Sequence, residues 1–428
     1  MVDKLGKKVF VPEKIGAASS LKQTSLNQTS HNHTSQKETS STAAPMDTPV
    51  TPGPEGRNRT EKARKTLERL CREVSFRPTP ELSVEDRAGR TAALRTQAIS
   101  DPRPQHRNVF AAIDLGSSSA KMLILQRVGE SWKTVVDVKI GCALGKGVPV
   151  GGELPEANQQ RAVDALQQFV QEAARAGVAV ADIPMITTSV VRMAPNGDAF
   201  VARVAAEVGL RPRILTGPQE ADVGYRGALG PLLGRPGRYA TLDLGGGSFQ
   251  LAVGTEAGKE DGKSTEVGSN LILDTLINPR ANPDGSFDGE AVFFVVDAEL
   301  KQRAPMPLPP DVLDGRTLVA TGGISKFLRA HFGKDMLRRD DIDRMRRDVA
   351  KLPHNDRIAF VREGKSAEQM KALGIETDEG ALDYGKKLPA SASLLLHILD
   401  GIQVAAVRVS ETDARHALIH DALDPRSP

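Results

Sequence analysis

From Asn108 onward, short apolar runs alternate with glycine- and serine-rich turns. VFAAID is nearly continuous in apolar residues, the pattern of a strand buried within a sheet. AKMLILQ follows one turn and WKTVVDVKI the next, so the segment predicts three strands in succession. A helix is predicted over 156–176, where Ala162, Leu166, Phe169 and Ala173 step along one face. The pattern then predicts a strand over 184–188, a helix over 198–208, a strand over 213–216 and a helix over 220–229.

The opening then recurs. AAIDLGSSSAKMLIL and ATLDLGGGSFQLAVG both read as a strand, Asp-Leu-Gly, a small-residue turn and a second strand. Such self-similarity predicts two related α/β halves facing each other across a cleft. LVATGGISKFLRA is a third strand–Gly-Gly–helix element. KDMLRRDDIDRMRRDVAKL reads as a charge-rich helix whose opposite charges at i, i+4 suit a solvated face. The tail, over 390–423, reads as helix, strand (404–409) and helix.

Ahead of this region the texture is different. Ser, Thr, Gln, Asn, Pro and Gly dominate over 17–59, too little apolar surface to offset the entropy of ordering. Residues 1–106 are therefore expected to be a disordered extension. It would carry one short basic helix near 60–74, on which Leu67, Leu70, Cys71 and Val74 share a face. The two halves are expected over 107–230 and 231–428, with the final helix able to cross back onto the first. From the length remaining after the motifs, no large additional C-terminal domain is expected.

Charge narrows the function classes. The chain has 428 residues, with 57 Lys+Arg against 54 Asp+Glu and a net charge of +3. That balance argues against a dedicated nucleic-acid binder. Two cysteines, Cys71 and Cys142, exclude a disulfide framework and a four-cysteine zinc site. No run approaches the roughly 18 apolar residues of a membrane span, and the N-terminus lacks a secretory apolar region. A cytoplasmic protein without membrane partners is expected. The alternative is an exported bacterial effector, because the Ser/Thr/Gln-rich N-terminus is similar to segments read by export machines.

The Asp-Leu-Gly turns carry the candidate chemistry. An Asp ending a buried strand beside glycines sets a carboxylate next to exposed backbone N–H groups, a nest for an anion. The carboxylate can hold Mg²⁺, which prefers oxygen ligands and brings phosphates with it. Asp114 with Gly116, Ser117, Ser118 and Ser119 is one such turn. Asp243 with Gly245, Gly246, Gly247 and Ser248 is the other, and Gly322-Gly323 follows a third strand. Ser119 and Ser248 lack the nucleophile-elbow pattern of a hydrolytic serine. His354, His397, His416 and His420 read as isolated imidazoles.

With these segments in hand, the chain from 108 to 421 resembles the Ppx/GppA group of exopolyphosphatases and guanosine pentaphosphate phosphohydrolases, in the actin/hexokinase/Hsp70-like superfamily. Five segments carry the resemblance: AAIDLGSSSAKMLIL, TTSVVRMAPNGDAF, ILTGPQEADVGYRGAL, TLDLGGGSFQLAVG and LVATGGISKFL. It implies two RNase H-like (actin-like ATPase) lobes with a cleft between them. It also implies Mg²⁺-dependent release of a terminal phosphate from inorganic polyphosphate or guanosine pentaphosphate. Glu220 matches the family's catalytic base. Asp114, Asp243 and Gln250 match metal-associated positions. Lys121 and Arg192 match phosphate-contacting ones, as do the three glycine turns. A homodimer is compatible with this reading, and no specific nucleic acid is expected.

Several positions depart from the family pattern. Gln250 stands where a Glu is usual, and a neutral amide oxygen is a poorer magnesium ligand. Ser118 and Lys121 replace Asn and Arg, and lysine lacks the bidentate fork. Ala143 replaces an arginine, and Gln219 replaces the acidic residue before Glu220. These changes motivate a rival expectation: an impaired member that senses polyphosphate or a nucleotide through the same cleft.

Overall fold

The computed structural model describes residues 108–232 and 235–423. The expected N-terminal extension and its basic helix, with Cys71, lie outside the described residues.

The first lobe opens with β1 (Val109–Leu115), β2 (Ser119–Val128) and β3 (Ser131–Gly141). Helix α1 (Glu156–Arg175) buries Ala162, Val163, Leu166, Phe169 and Ala173, the face its apolar spacing predicts. Next come β4 (Met185–Thr187), α2 (Ser189–Met193), α3 (Gly197–Val208), β5 (Pro212–Ile214) and α4 (Gly217–Ala228). The sheet order is β3-β2-β1-β4-β5. β1 pairs with β2 antiparallel and with β4 parallel.

The second lobe repeats the plan. β6 (Arg238–Leu244), β7 (Phe249–Thr255) and β8 (Gly258–Thr265) are followed by α5 (Ser269–Ile272) and α6 (Gly289–Arg303). Then come β9 (Thr317–Gly322), α7 (Gly323–Phe332), β10 (Met336–Arg338), α8 (Arg339–Ala350), α9 (His354–Arg362) and α10 (Ala367–Leu373). The chain closes with α11 (Asp378–Gly401), β11 (Ala406–Val409) and α12 (Ala414–Leu423). Its sheet order is β10-β11-β9-β6-β7-β8. Read from β8, the order β8-β7-β6-β9-β11 matches β3-β2-β1-β4-β5 strand for strand. β10 is an added antiparallel edge. The duplication seen in two fifteen-residue stretches therefore extends through both sheets.

Register carries the duplication down to single residues. Asp114 stands opposite Lys121 in the first hairpin, and Asp243 stands opposite Gln250 in the second. Lys121 and Gln250 thus occupy equivalent places beside their aspartates.

The final helix crosses between the lobes. Ala414, Ala417, Leu418 and Ile419 of α12 pack with Ala112, Leu123, Ile186 and Val223 of the first lobe. Arg415 locks the crossing. Its guanidinium is 2% exposed and donates to the Met122 carbonyl, to Asp137 and to Asp413. Asp413 is held well below the usual carboxylate range, where the attraction of Arg415 and Lys326 outweighs the opposing effect of burial.

The charge-rich helix α8 differs from its sequence reading. It turns Ile342, Met345, Arg346 and Val349 inward, so only its other face is solvated. Arg346 reaches Asp343, Asp297 and Ser393 and lies over the Phe293 ring, 4.2 Å from the centroid.

A candidate active site between two phosphate-loop turns

The two Asp-headed turns are built alike. In the first, the Gly116 amide donates to the Ser119 carbonyl at 3.0 Å; in the second, the Gly245 amide donates to the Ser248 carbonyl at 2.9 Å. Neighbouring loops then draw the turn carbonyls outward. The Gly145 amide donates to the Ser117 carbonyl at 2.8 Å, and the Ala143 amide to the Ser118 carbonyl at 2.9 Å. In the second lobe the amides of Ser269 and Asn270 donate to the carbonyls of Gly245 and Gly246. With the carbonyls engaged behind, the remaining N–H groups of each turn form a nest suited to an anion. Gly116 and Gly245, expected among the phosphate binders, use their own amides to close the turns.

The turns meet face to face. A Cβ on Gly246 would collide with the Ser118 hydroxyl, and one on Gly247 with the Ser117 hydroxyl. The Ser118 hydroxyl also donates to Asn270 Oδ1 at 3.0 Å. At either position a side chain would force the facing serine hydroxyl to shift.

The cleft around them has a volume of about 1180 Å³. Asp114, Asp243 and Glu220 all line it, as do Gly116, Ser117, Ser118, Ser119, Lys121, Gly245, Gly246, Gly247, Ser248, Gln250 and Gly323. Arg192 and Gly322 do not line it. Gly322 has φ +91, and a Cβ there would come within 2.9 Å of Asp243 Oδ1.

Glu220 enters the cleft from the first turn of α4. Thr216 caps that helix, and Gln219 returns the bond from its side chain to the Thr216 amide at 2.9 Å. This capping box gives Gln219 a structural role that an acidic residue is not needed to fill. Glu220 is then held from both sides. Arg192 donates to its Oε2 at 2.9 Å, and the Ser248 hydroxyl donates to Oε1 at 3.2 Å. Arg192 itself is shared, donating also to Glu266 at 2.5 Å and to the Leu215 carbonyl at 2.6 Å. Glu266 in turn accepts from the Ser189 hydroxyl. Behind Ser248, Gln250 donates from Nε2 to the hydroxyls of Ser248 (3.0 Å) and Ser264 (2.9 Å). One polar chain therefore links the lobes through Glu220. Burial pushes the Glu220 carboxyl up to about 7, against the pull of Arg192.

The aspartates sit in a second charge cluster. Lys121 donates to Asp114 at 3.1 Å. Burial, outweighing the attraction of Lys121, pushes Asp243 up to about 6, and the Asp114 charge adds to the rise. Lys121 is raised because Asp114, Asp413 and Asp243 together outweigh its burial.

Known proteins resemble this chain in sequence and in fold. Residues 123–299 match the model of the Ppx/GppA phosphatase family. Over that stretch the chain is similar to the family. Among curated relatives, it is 24% identical over 344 residues to the guanosine-5'-triphosphate,3'-diphosphate pyrophosphatase of Vibrio campbellii, covering 77% of this chain and 61% of that one. A pyrophosphatase of the same name from Aliivibrio fischeri is 24% identical, covering 74% and 59%. The chain thus spans about three-fifths of the length of these relatives. Among solved structures, an exopolyphosphatase from Cytophaga hutchinsonii superposes with a TM-score of 0.60 at 20% identity, covering 74% of this chain and 98% of that one. A Ppx/GppA phosphatase from Aquifex aeolicus gives a TM-score of 0.52 at 19% identity, covering 74% and 100%. These structures share the two-lobed fold expected from the sequence.

The sequence reading missed several residues of this site. Glu266, Ser189, Asn270 and Asp413 all bear on the site. Glu266-Val-Gly-Ser-Asn270 follows a strand and opens a helix, the same grammar as the turns that were noticed. Among the described residues no group of three or more His, Cys, Asp or Glu side chains could hold a metal by itself. Asp114 and Asp243 nonetheless offer oxygen donors on one cleft, and Gln250 engages its nitrogen elsewhere and retains its amide oxygen. That set fits a hard divalent ion completed by phosphate and water oxygens, as Mg²⁺ usually is. His397 instead bonds the Ala304 carbonyl, and His416 accepts from the Asp413 amide.

Proposed function

We propose that this cleft hydrolyses a terminal phosphoanhydride of inorganic polyphosphate or guanosine pentaphosphate. The observation that carries the reading is Glu220, oriented by Arg192 and Ser248 and lining the same cleft as Asp114, Asp243 and both turns. Phosphoryl transfer asks mainly for positioning, charge neutralisation and an oriented nucleophile.

In this reading Asp114 and Asp243, with the Gln250 amide oxygen, hold Mg²⁺. Bound there, Mg²⁺ would supply charge neutralisation for the transferred phosphoryl group. The free amides of Ser117, Ser118, Gly246 and Gly247 hold phosphoryl oxygens, and Lys121 adds charge beside Asp114. Glu220 accepts a proton from the attacking water. Its raised affinity for protons suits a base working near neutrality. Arg192 positions Glu220, since three of its five N–H donors are engaged by Glu220, Glu266 and the Leu215 carbonyl and it does not line the cleft.

The match to the family model, the names of the similar proteins and the intact Glu220 environment support an active hydrolase. Gln250 and Ala143 support the alternative, a sensor that binds the same ligands without turnover. Phosphate release from polyphosphate and from guanosine pentaphosphate, with Mg²⁺ titrated, separates them. Turnover abolished by Glu220→Gln supports the hydrolase. Binding without turnover supports the sensor.

A further inference from the structure

Lys139 of β3 is a cleft-lining cation that the proposed chemistry does not use. Its Nζ lies over the ring of Tyr384, 4.7 Å from the centroid. Tyr384 belongs to α11, so the contact joins a first-lobe strand to a second-lobe helix. In the sheet register Lys139 stands directly opposite Lys121, which stands directly opposite Asp114. One row of side chains therefore runs outward from the first phosphate turn: Asp114, Lys121, Lys139. Lys121 is paired with Asp114 at 3.1 Å. Among the described residues Lys139 has no carboxylate within 4.0 Å. Like charges facing each other across strands are destabilising, so the row is incomplete without an anion.

No neighbouring side chain supplies one. From α11, Asp383 is tied to Lys387 at 2.8 Å. Cys142, at the end of β3, has its thiol pushed up to about 11 by burial. Asp413, across a small adjoining cavity, is held by Lys326 and Arg415. Tyr384 donates its hydroxyl to the Gly323 carbonyl at 2.7 Å. Burial, followed by the charges of Lys121 and Lys387, pushes the Lys139 amine down to about 7.

We propose that Lys139 is a second anion-binding position, taking a non-reacting phosphoryl group of an extended polyphosphorylated ligand one strand outward from the Asp114 turn. This rests on the phosphoanhydride reading above. A phosphoryl oxygen there completes the row and lets the amine take a proton from solvent.

The test is calorimetric titration with inorganic tripolyphosphate and, separately, orthophosphate. It uses the full chain carrying Glu220→Gln, which stops turnover and removes that carboxyl from the proton count. Titrations at about pH 7.5 in two buffers of different ionisation enthalpy read proton uptake. Tripolyphosphate binding is expected to take up part of a proton, and orthophosphate binding none at Lys139. Lys139→Gln is expected to weaken tripolyphosphate about tenfold while leaving orthophosphate unchanged. Lys139→Arg is expected to keep the affinity within about twofold but abolish the uptake, because a guanidinium is already protonated. A merely structural lysine would not separate affinity from uptake in this way. Unchanged tripolyphosphate affinity in Lys139→Gln, or persistent uptake in Lys139→Arg, overturns the proposal. If the parent binds no tripolyphosphate and the wild type releases no phosphate, the phosphoanhydride reading fails and this subsite with it. If the wild type releases phosphate and the Lys139 variants bind unchanged, the subsite alone fails.

Discussion

Gln250 donates to the Ser248 hydroxyl at 3.0 Å, and Ser248 passes its own proton on to Glu220. A hydroxyl has one proton to donate. Because Gln250 donates to the Ser248 oxygen, that proton is directed at the carboxylate. The amide at 250 thus orients Glu220 through Ser248.

Gln250→Glu reverses this arrangement. A carboxylate at 250 cannot donate, so it competes with Glu220 for the Ser248 proton and adds negative charge near Asp243. Metal affinity should rise, and the acid limb of the activity profile should move to higher pH by about 0.5 to 1 unit. Magnesium titrations and pH–rate profiles of the two proteins measure both effects.

As the proposed base, Glu220 would act only when deprotonated, and its carboxyl is pushed up to about 7. Phosphate release should therefore increase as pH rises through about 7. Glu220→Gln should lower turnover by about 100-fold or more while leaving ligand binding within a few-fold. Stability runs the other way. A carboxyl raised above its ordinary 4.5 favours folding most below that value and loses the contribution as pH rises through about 7.

Arg192→Ala leaves Glu220 and Glu266 without their shared cation. The Arg192 charge opposes the rise in the Glu220 carboxyl, so removing it should push the acid limb upward and cut turnover by about 10- to 100-fold. Arg192→Lys should recover part of the loss, since lysine cannot bridge both carboxylates with a planar fork. Steady-state kinetics across pH follow both variants.

Gly246→Ala places a methyl group against the Ser118 hydroxyl. The variant should fold, because the clash lies at the meeting of two turns. It should lose part of its phosphate release as the Ser118 hydroxyl is displaced from Asn270. Circular dichroism and an activity assay together distinguish this from unfolding.

Arg415→Met tests the crossing helix. Its guanidinium is 2% exposed and bonds two aspartates and a carbonyl. Removing one partner of a buried ion network costs about 3–5 kcal/mol. Urea denaturation should report a loss of that order.

Much of this plan was legible in the sequence because turn chemistry is local. Asp114 and Asp243 stand out since each ends an apolar run and precedes glycines, and the repeat announced two matching sheets. β8 was missed because GKEDGKST is polar; only Gly262 in it is buried. The burial of Arg346 was hidden for a related reason, since its partners Asp297 and Ser393 lie far along the chain. The partners of Arg192 were also out of reach. The family resemblance implies a phosphate contact for Arg192, and its bond to Glu266, 74 positions away, is not visible in the sequence. The Gln219 substitution makes sense only once Thr216 is known to cap α4.

The most direct measurement is magnesium-dependent release of terminal phosphate from inorganic polyphosphate and guanosine pentaphosphate, followed from about pH 5 to 9, for wild type and Glu220→Gln. Release by the wild type that climbs through neutrality and nearly vanishes in Glu220→Gln is the predicted result. Equal release by both proteins would contradict the role given to Glu220, and no release by the wild type would contradict hydrolysis itself.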